Sequence, residues 1–208
     1  MAQPKLIDLD VADASLTGFA SNVTGAAFTI TTTATTDGLA HQVSIRNDTA
    51  NDHSGKTVAL VGTDADDYAQ TETVTGPAGS ATVESTKYFK TLTSATPSAT
   101  IGVDTFDIGW VDEIASKTVM LDRTKGFGAM CQTDVTGTLD YTIQVTVSHR
   151  NVYLGQNSFI WVATTNTVHV GSTADKIGDI EPQITAARLI FNSYSSGAEL
   201  QWLINEQR

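Results

Sequence analysis

Between positions 141 and 148 the chain alternates without a break: Tyr141, Ile143, Val145 and Val147 fall on one parity, and Thr142, Gln144, Thr146 and Ser148 on the other. Successive side chains of a strand point to opposite faces, so a period of two is the signature of a β-strand. The same parity returns at Leu200, Trp202 and Ile204. Elsewhere Gly, Asn, Asp and Ser interrupt short apolar runs roughly every ten residues, the spacing of sandwich or barrel strands. No window sustains a 3.6-residue period with a cap. The pattern predicts an all-β fold, with a short helical turn at 112–116 as the one exception.

Turn chemistry pairs these runs into predicted hairpins. Residues 128–134 and 141–148 are joined through Val135, Thr136, Gly137 and Thr138, where Gly137 supplies a positive φ. Residues 184–194 and 198–205 flank Ser195, Ser196 and Gly197, and 28–36 and 39–46 flank Asp37 and Gly38. A further pair, 57–62 and 71–75, meets across an acidic turn at 64–68, and 81–93 reads as one strand, bent or bulged. Pro97 and Pro182 punctuate the pattern, because proline sits badly in a central strand. The organisation expected is an N-terminal arm over 1–18 and two β-sandwich or jelly-roll-like domains over 19–113 and 114–208. A single sandwich interleaving both halves fits the same pattern. The arm, with Leu6, Ile7, Leu9, Val11, Leu16 and Phe19, either adds a strand to a neighbouring subunit or forms the first strand of its own domain.

Charge narrows the partners. Twelve Lys and Arg against 23 Asp and Glu leave a net charge of -11, with the basic residues scattered, so direct nucleic-acid binding is disfavoured. The lone Cys131 cannot close an internal disulfide and reads as a small buried hydrophobe. The opening residues are acidic where a secretory signal is basic and apolar, and the densest apolar run, 159–163, is strand-sized. A chain made in a cytoplasm and free of membrane contact is expected. The Asn22 and Asn47 sequons then read as turn chemistry.

Candidate chemistry is sparse. His41, His53, His149 and His169 show none of the paired spacings of metal sites, and His41 and His169 read as satisfied sheet-face histidines. No nucleophile elbow, phosphate loop or paired-cysteine motif occurs, and the glycines at 126 and 128 lack a βαβ setting. The turn containing Asp64, Asp66 and Asp67 is the best cation candidate, but Tyr68 breaks the twelve-residue calcium-loop pattern, so a solvated turn is expected. The carboxylate pairs Asp112 with Glu113 and Asp179 with Glu181 read as loop or turn residues. Trp110, Trp161 and Trp202 could form a sugar-stacking platform, yet each has apolar neighbours, which favours core or interface packing. No catalytic residue, metal ligand or cofactor is expected, and the chain reads as non-enzymatic.

Two stretches carry a resemblance. Residues 58–64, continuing through 70–77, with Glu72-Thr73-Val74-Thr75-Gly76-Pro77, to 86–93, with Lys87-Tyr88-Phe89-Lys90, resemble a β repeat of tailed-bacteriophage virion proteins. Residues 137–146, with Pro182, Ala187-Arg188-Leu189 and 195–204, are similar to small β-sandwich proteins encoded among phage structural genes. The second pattern departs after Thr146, where Ser148, His149, Arg150 and Asn151 replace an acidic turn. The resemblance brings no catalytic residues. It implies a structural component of a phage particle, above all a capsid decoration or cement protein. Its expected partners are copies of itself, in a ring or trimer, and other virion proteins such as the major capsid protein. A tail or head-to-tail connector component is the nearest alternative, and a carbohydrate-binding fibre module the next.

Overall fold

The computed structural model describes residues 4–121, 129–147, 160–180 and 184–206. The chain is all-β. In order, the strands are β1 (Lys5–Asp10), β2 (Ser15–Val23), β3 (Ala40–Asn47), β4 (Thr57–Thr63), β5 (Ala69–Thr75), β6 (Thr82–Phe89), β7 (Thr91–Pro97) and β8 (Phe106–Ala115). They continue with β9 (Val119–Met120), β10 (Ala129–Thr136), β11 (Leu139–Thr146), β12 (Val162–Ala163), β13 (Lys176–Ile180), β14 (Ala186–Tyr194) and β15 (Glu199–Glu206). A 3-10 turn, Thr167–His169, lies between β12 and β13. No helix among the described residues is long and apolar enough to cross a membrane.

Two compact units result: residues 1–12 with 115–208, and residues 13–114. In the first, one antiparallel sheet has the order β1-β15-β10-β13, and β11 and β14 form the centre of a second, flanked by β12 and β9. The inner parities of both sheets are buried, among them Cys131, Trp202 and Ile204 on one side and Tyr141, Ile143 and Phe191 on the other. Across this interior the Thr133 hydroxyl meets the Tyr141 phenol at 2.6 Å. A sandwich-like arrangement follows directly from period-two strands with one apolar face each. The N-terminal stretch supplies β1, which lies antiparallel on β15 of its own chain, Leu9 opposite Leu200.

The second unit packs Phe19, Val43, Ile45, Leu60, Phe89, Leu92, Phe106 and Ile108 into one core. In it β3 lies between β8 and β6, β2 crosses onto β8, and β4 is the centre of a three-stranded sheet, β5-β4-β7. The expected pairing of 57–62 with 71–75 is present as β4 and β5, in register from Thr57 opposite Thr75 to Thr63 opposite Ala69.

Several expected connections are different. Residues 128–134 and 141–148 do not form a hairpin: β10 pairs with β13 and β15, and β11 with β12 and β14, so the turn at Gly137 (φ 82°) carries the chain from one sheet to the other. The Gly197 turn (φ 72°) does the same between β14 and β15, in place of the expected closing hairpin. The two turns stack, with Ser195 N–H donating to Thr138 O at 2.8 Å. Alternation specifies which face a residue occupies and leaves the neighbouring strand open, which is why both turns read as hairpins.

Nor do 28–36 and 39–46 pair. Phe28 and Ala34 bridge instead to Ala95 and Thr91 of β7, while the Asp37 turn survives, with Leu39 N–H donating to Asp37 Oδ1 at 2.8 Å. The helical turn expected at 112–116 is strand: β8 runs to Ala115, and burial of Ile114 and Ala115 favours extension over a cap. The single strand over 81–93 is two, broken at Lys90. Pro97 closes β7 at the rim of its sheet, where its missing N–H costs nothing. Val147 lies beyond the end of β11 and is exposed rather than sharing the face of Tyr141. Pro182 falls outside the described residues.

Candidate functional site

The histidines head separate networks. In the 13–114 unit, His53 Nε2 lies 2.8 Å from Asp104 Oδ2, and Lys56 Nζ donates to His53 Nδ1 at 3.0 Å and to Thr100 O at 2.7 Å. A lysine donating to Nδ1 leaves the ring proton on Nε2, where it donates to the carboxylate. The Asn51 amide donates to both Asp104 oxygens at 3.0 and 3.1 Å. That amide is the first reason the Asp104 carboxyl is held below the usual carboxylate range, with the His53 bond adding and burial opposing. The network ties the loop after β3 to the one before β8.

His41 is fully buried, with Nδ1 3.0 Å from Val111 O and Nε2 2.8 Å from Asp37 Oδ2. Both ring nitrogens therefore have a partner within hydrogen-bond distance, which fixes the orientation of the ring. His169, in the other unit, is also buried. Its Nε2 is 3.4 Å from Gly178 O, its Nδ1 meets no partner, and burial pushes its pKa below the ordinary value. His149 lies outside the described residues. Among the described residues no group of three or more His, Cys, Asp or Glu is placed to hold a metal ion.

The acidic turn is spent on its own main chain. Asp64 Oδ1 accepts from the N–H groups of Asp66 and Tyr68 at 2.9 and 3.0 Å, and Lys90 Nζ reaches Asp67 Oδ1 at 2.5 Å. Burial, with the Asp66 and Asp67 charges adding, raises the Asp64 carboxyl above the usual range. Of the carboxylate pairs, Asp112 Oδ1 accepts from Ala14 N–H at 3.1 Å, and Glu113 is raised by burial and the Glu84 charge. As neighbours in β8 the two point to opposite faces. Asp179 is described; its expected companion Glu181 is not.

Two of the three tryptophans are core residues. Trp110 stands edge-on to Phe19 at 5.0 Å and donates its indole N–H to Asp13 O at 3.0 Å. Trp202 is fully buried, and its Nε1 meets no oxygen or nitrogen acceptor. Trp161 is partly exposed, with the Arg188 guanidinium 4.6 Å above its ring; Arg188 in turn donates twice to Gln144 Oε1, at 2.9 and 2.8 Å. A shared sugar platform is therefore not formed. Cys131 is buried, and burial pushes its thiol up to about 12. A shallow cleft of about 230 Å³ beside the 3-10 turn is lined by Thr167, Ser172, Thr173 and Lys176 together with Val168 and Val170.

What the sequence reading missed is a surface. On the outward parity of the β1-β15-β10-β13 sheet, Leu6 stands opposite Leu203, Leu203 opposite Gln132, and Gln132 opposite Ile177. These residues form one row across all four strands. Leu6 is 62% exposed and Ile177 65%, with Leu203 half-buried between them. The rows on either side hold Asp8, Gln201 and Asp134, then Asn205, Met130 and Asp179, with Asp10 and Glu199 one row further out. Alternation in β1 (Leu6, Asp8, Asp10) hints at an exposed face, but the row needs the register of four strands that are far apart in sequence.

No known protein family matches the chain, and no curated protein does. Among solved structures, the crystal structure of the major capsid protein P2 from Bacteriophage PM2 aligns over 96% of both chains at 7% identity, with a TM-score of 0.20. At that TM-score the likeness carries no argument about fold or function.

Proposed function

We propose that this chain is a non-enzymatic structural component of a tailed-phage particle, acting as a capsid decoration or cement protein in the virion. The observation that supports the reading is where the resembling stretches fall. Residues 58–64, 70–77 and 86–93 build β4, β5 and the β6-to-β7 passage of one unit, while 137–146, 187–189 and 195–204 contribute β11, β14 and β15 of the other. The shared pattern thus lies on strands and turns; of the named titratable residues, His53 and Asp104 staple two loops, while His41, Cys131 and His169 are buried within their units. In this reading the protein joins copies of itself in a ring or trimer and docks on the major capsid protein, with no direct contact to nucleic acid or membrane.

Cryo-electron microscopy of purified particles, with mass spectrometry to establish presence of the chain, tests the assignment. Density on the outer face of the head shell is expected. Density confined to the tail or neck would replace the decoration role by the connector alternative, and absence from the particle would overturn the structural reading altogether.

A further inference from the structure

We infer that the outer face of the β1-β15-β10-β13 sheet is a docking surface for a basic protein partner, one presenting an apolar ridge flanked by lysine or arginine. The row Leu6-Leu203-Gln132-Ile177 crosses four strands, about 14 Å at three strand spacings of about 4.8 Å, and is apolar on β1, β15 and β13, with the exposed amide of Gln132 between them on β10. Its two ends are the most open large hydrophobic side chains of this sheet, and apolar side chains gathered on one open sheet face mark an interaction site more often than a scattered leucine does.

The charges around the row say what kind of partner fits. Of the outward strand positions, Asp8, Asp10, Asp134, Asp179 and Glu199 are acidic and none is basic. Among the described residues none of these five carboxylates takes part in an ion pair. Carboxylates of one sign gathered on a single face create a negative potential, which draws in and orients a positive partner. Apposing the same face of a second copy would set carboxylate against carboxylate, a repulsive arrangement of the kind that excludes wrong partners. Nucleic acid is excluded by the same sign. The identification of the partner as a particle protein rests on the function proposed above; the chemistry of the face does not.

The test uses the full chain and a short fluorescent peptide of alternating leucine and lysine, with its leucine-glutamate counterpart as control. The wild type is expected to bind the lysine peptide and not the glutamate one. The charge-neutral double substitution Leu6→Ser with Ile177→Ser weakens binding by roughly tenfold or more, the order expected for two lost apolar anchors. Asp8→Asn with Asp134→Asn lowers both affinity and its salt dependence. Both positions of the double variant are exposed, so its unfolding midpoint stays near the wild type's, which separates lost binding from lost fold. Undiminished binding by the double variant would overturn the inference, as would a wild-type dimer that the double variant abolishes. Absence of the wild type from particles would sink the proposed function while leaving the peptide result intact.

Discussion

Glu72 holds Thr86 by two hydrogen bonds to one oxygen: Oε1 accepts the backbone N–H and the hydroxyl of Thr86, each at 2.8 Å. Its other oxygen accepts Lys87 N–H at 2.9 Å, Gln70 Nε2 donates to Tyr88 O at 2.7 Å, and Lys87 Nζ returns a bond to Thr71 O at 2.8 Å. Side chains of β5 thereby occupy the main-chain groups along the end strand β6. Few lysines or prolines stand within the strands to blunt the sheet edges; at β6 the chain covers its own edge, removing a template for unwanted strand pairing.

Glu72→Ala should therefore lower stability and open an edge. A loss of about 1–2 kcal/mol is expected for three partly solvated, charge-assisted bonds. Urea unfolding checks the first effect and light scattering at rising concentration the second. A variant as stable and as monodisperse as the wild type would show that the β6 edge needs no cover.

The Thr133–Tyr141 bond spans the sandwich interior, so its partners should be energetically coupled. Tyr141→Phe leaves the buried Thr133 hydroxyl with only its weaker Lys176 contacts at 3.2 and 3.4 Å, and should cost about 1–2 kcal/mol. A double-mutant cycle with Thr133→Val should return a coupling of about 1 kcal/mol. Additive losses would show that the two hydroxyls are satisfied independently.

Gly62 lies where β4 and β7 shift register, and a Cβ there would come within 1.9 Å of Thr91 O. Backbone offers no rotamer with which to yield, so Gly62→Ala should destabilise by about 2–3 kcal/mol. Gly55, with nothing within 4 Å of its Cβ position, is the control, and Gly55→Ala should leave the thermal midpoint nearly unchanged. Equal effects at the two positions would contradict the close approach.

Burial lowers the pKa of His169 below the ordinary 6.5, so the unfolded chain takes up this proton first as pH falls. The stability gained by keeping the ring neutral is complete above about pH 6.5 and is lost as pH drops through that value toward the folded pKa. The urea midpoint should fall between pH 7 and pH 5, and His169→Leu should flatten that part of the profile. An unchanged pH slope in the variant would place the linkage elsewhere.

How far the fold could be read varied by element. Tyr141, Ile143 and Val145, and Leu200, Trp202 and Ile204, lie inward as their parity requires, because alternation is a local property of the strand itself. The acidic turn after β4 was equally legible, since two short strands and a tight connection leave one pairing. The turns at Gly137 and Gly197 were not: a glycine with positive φ serves a hairpin and a crossing between sheets alike, and the choice depends on which distant strands bury the remaining faces. His53 and Asp104 are 51 residues apart, so no spacing rule could have joined them.

The amino-acid sequence by itself thus determined the strands, their inward and outward faces and the acidic balance of the surface, all properties of neighbouring residues and of their sum. Only the tertiary structure decided which strands are neighbours, and with that the placing of Leu6 and Ile177 in one exposed row flanked by carboxylates. The reason is physical: side-chain alternation is set by the local geometry of an extended backbone, whereas register is set by long-range packing in which every strand's choice depends on all the others.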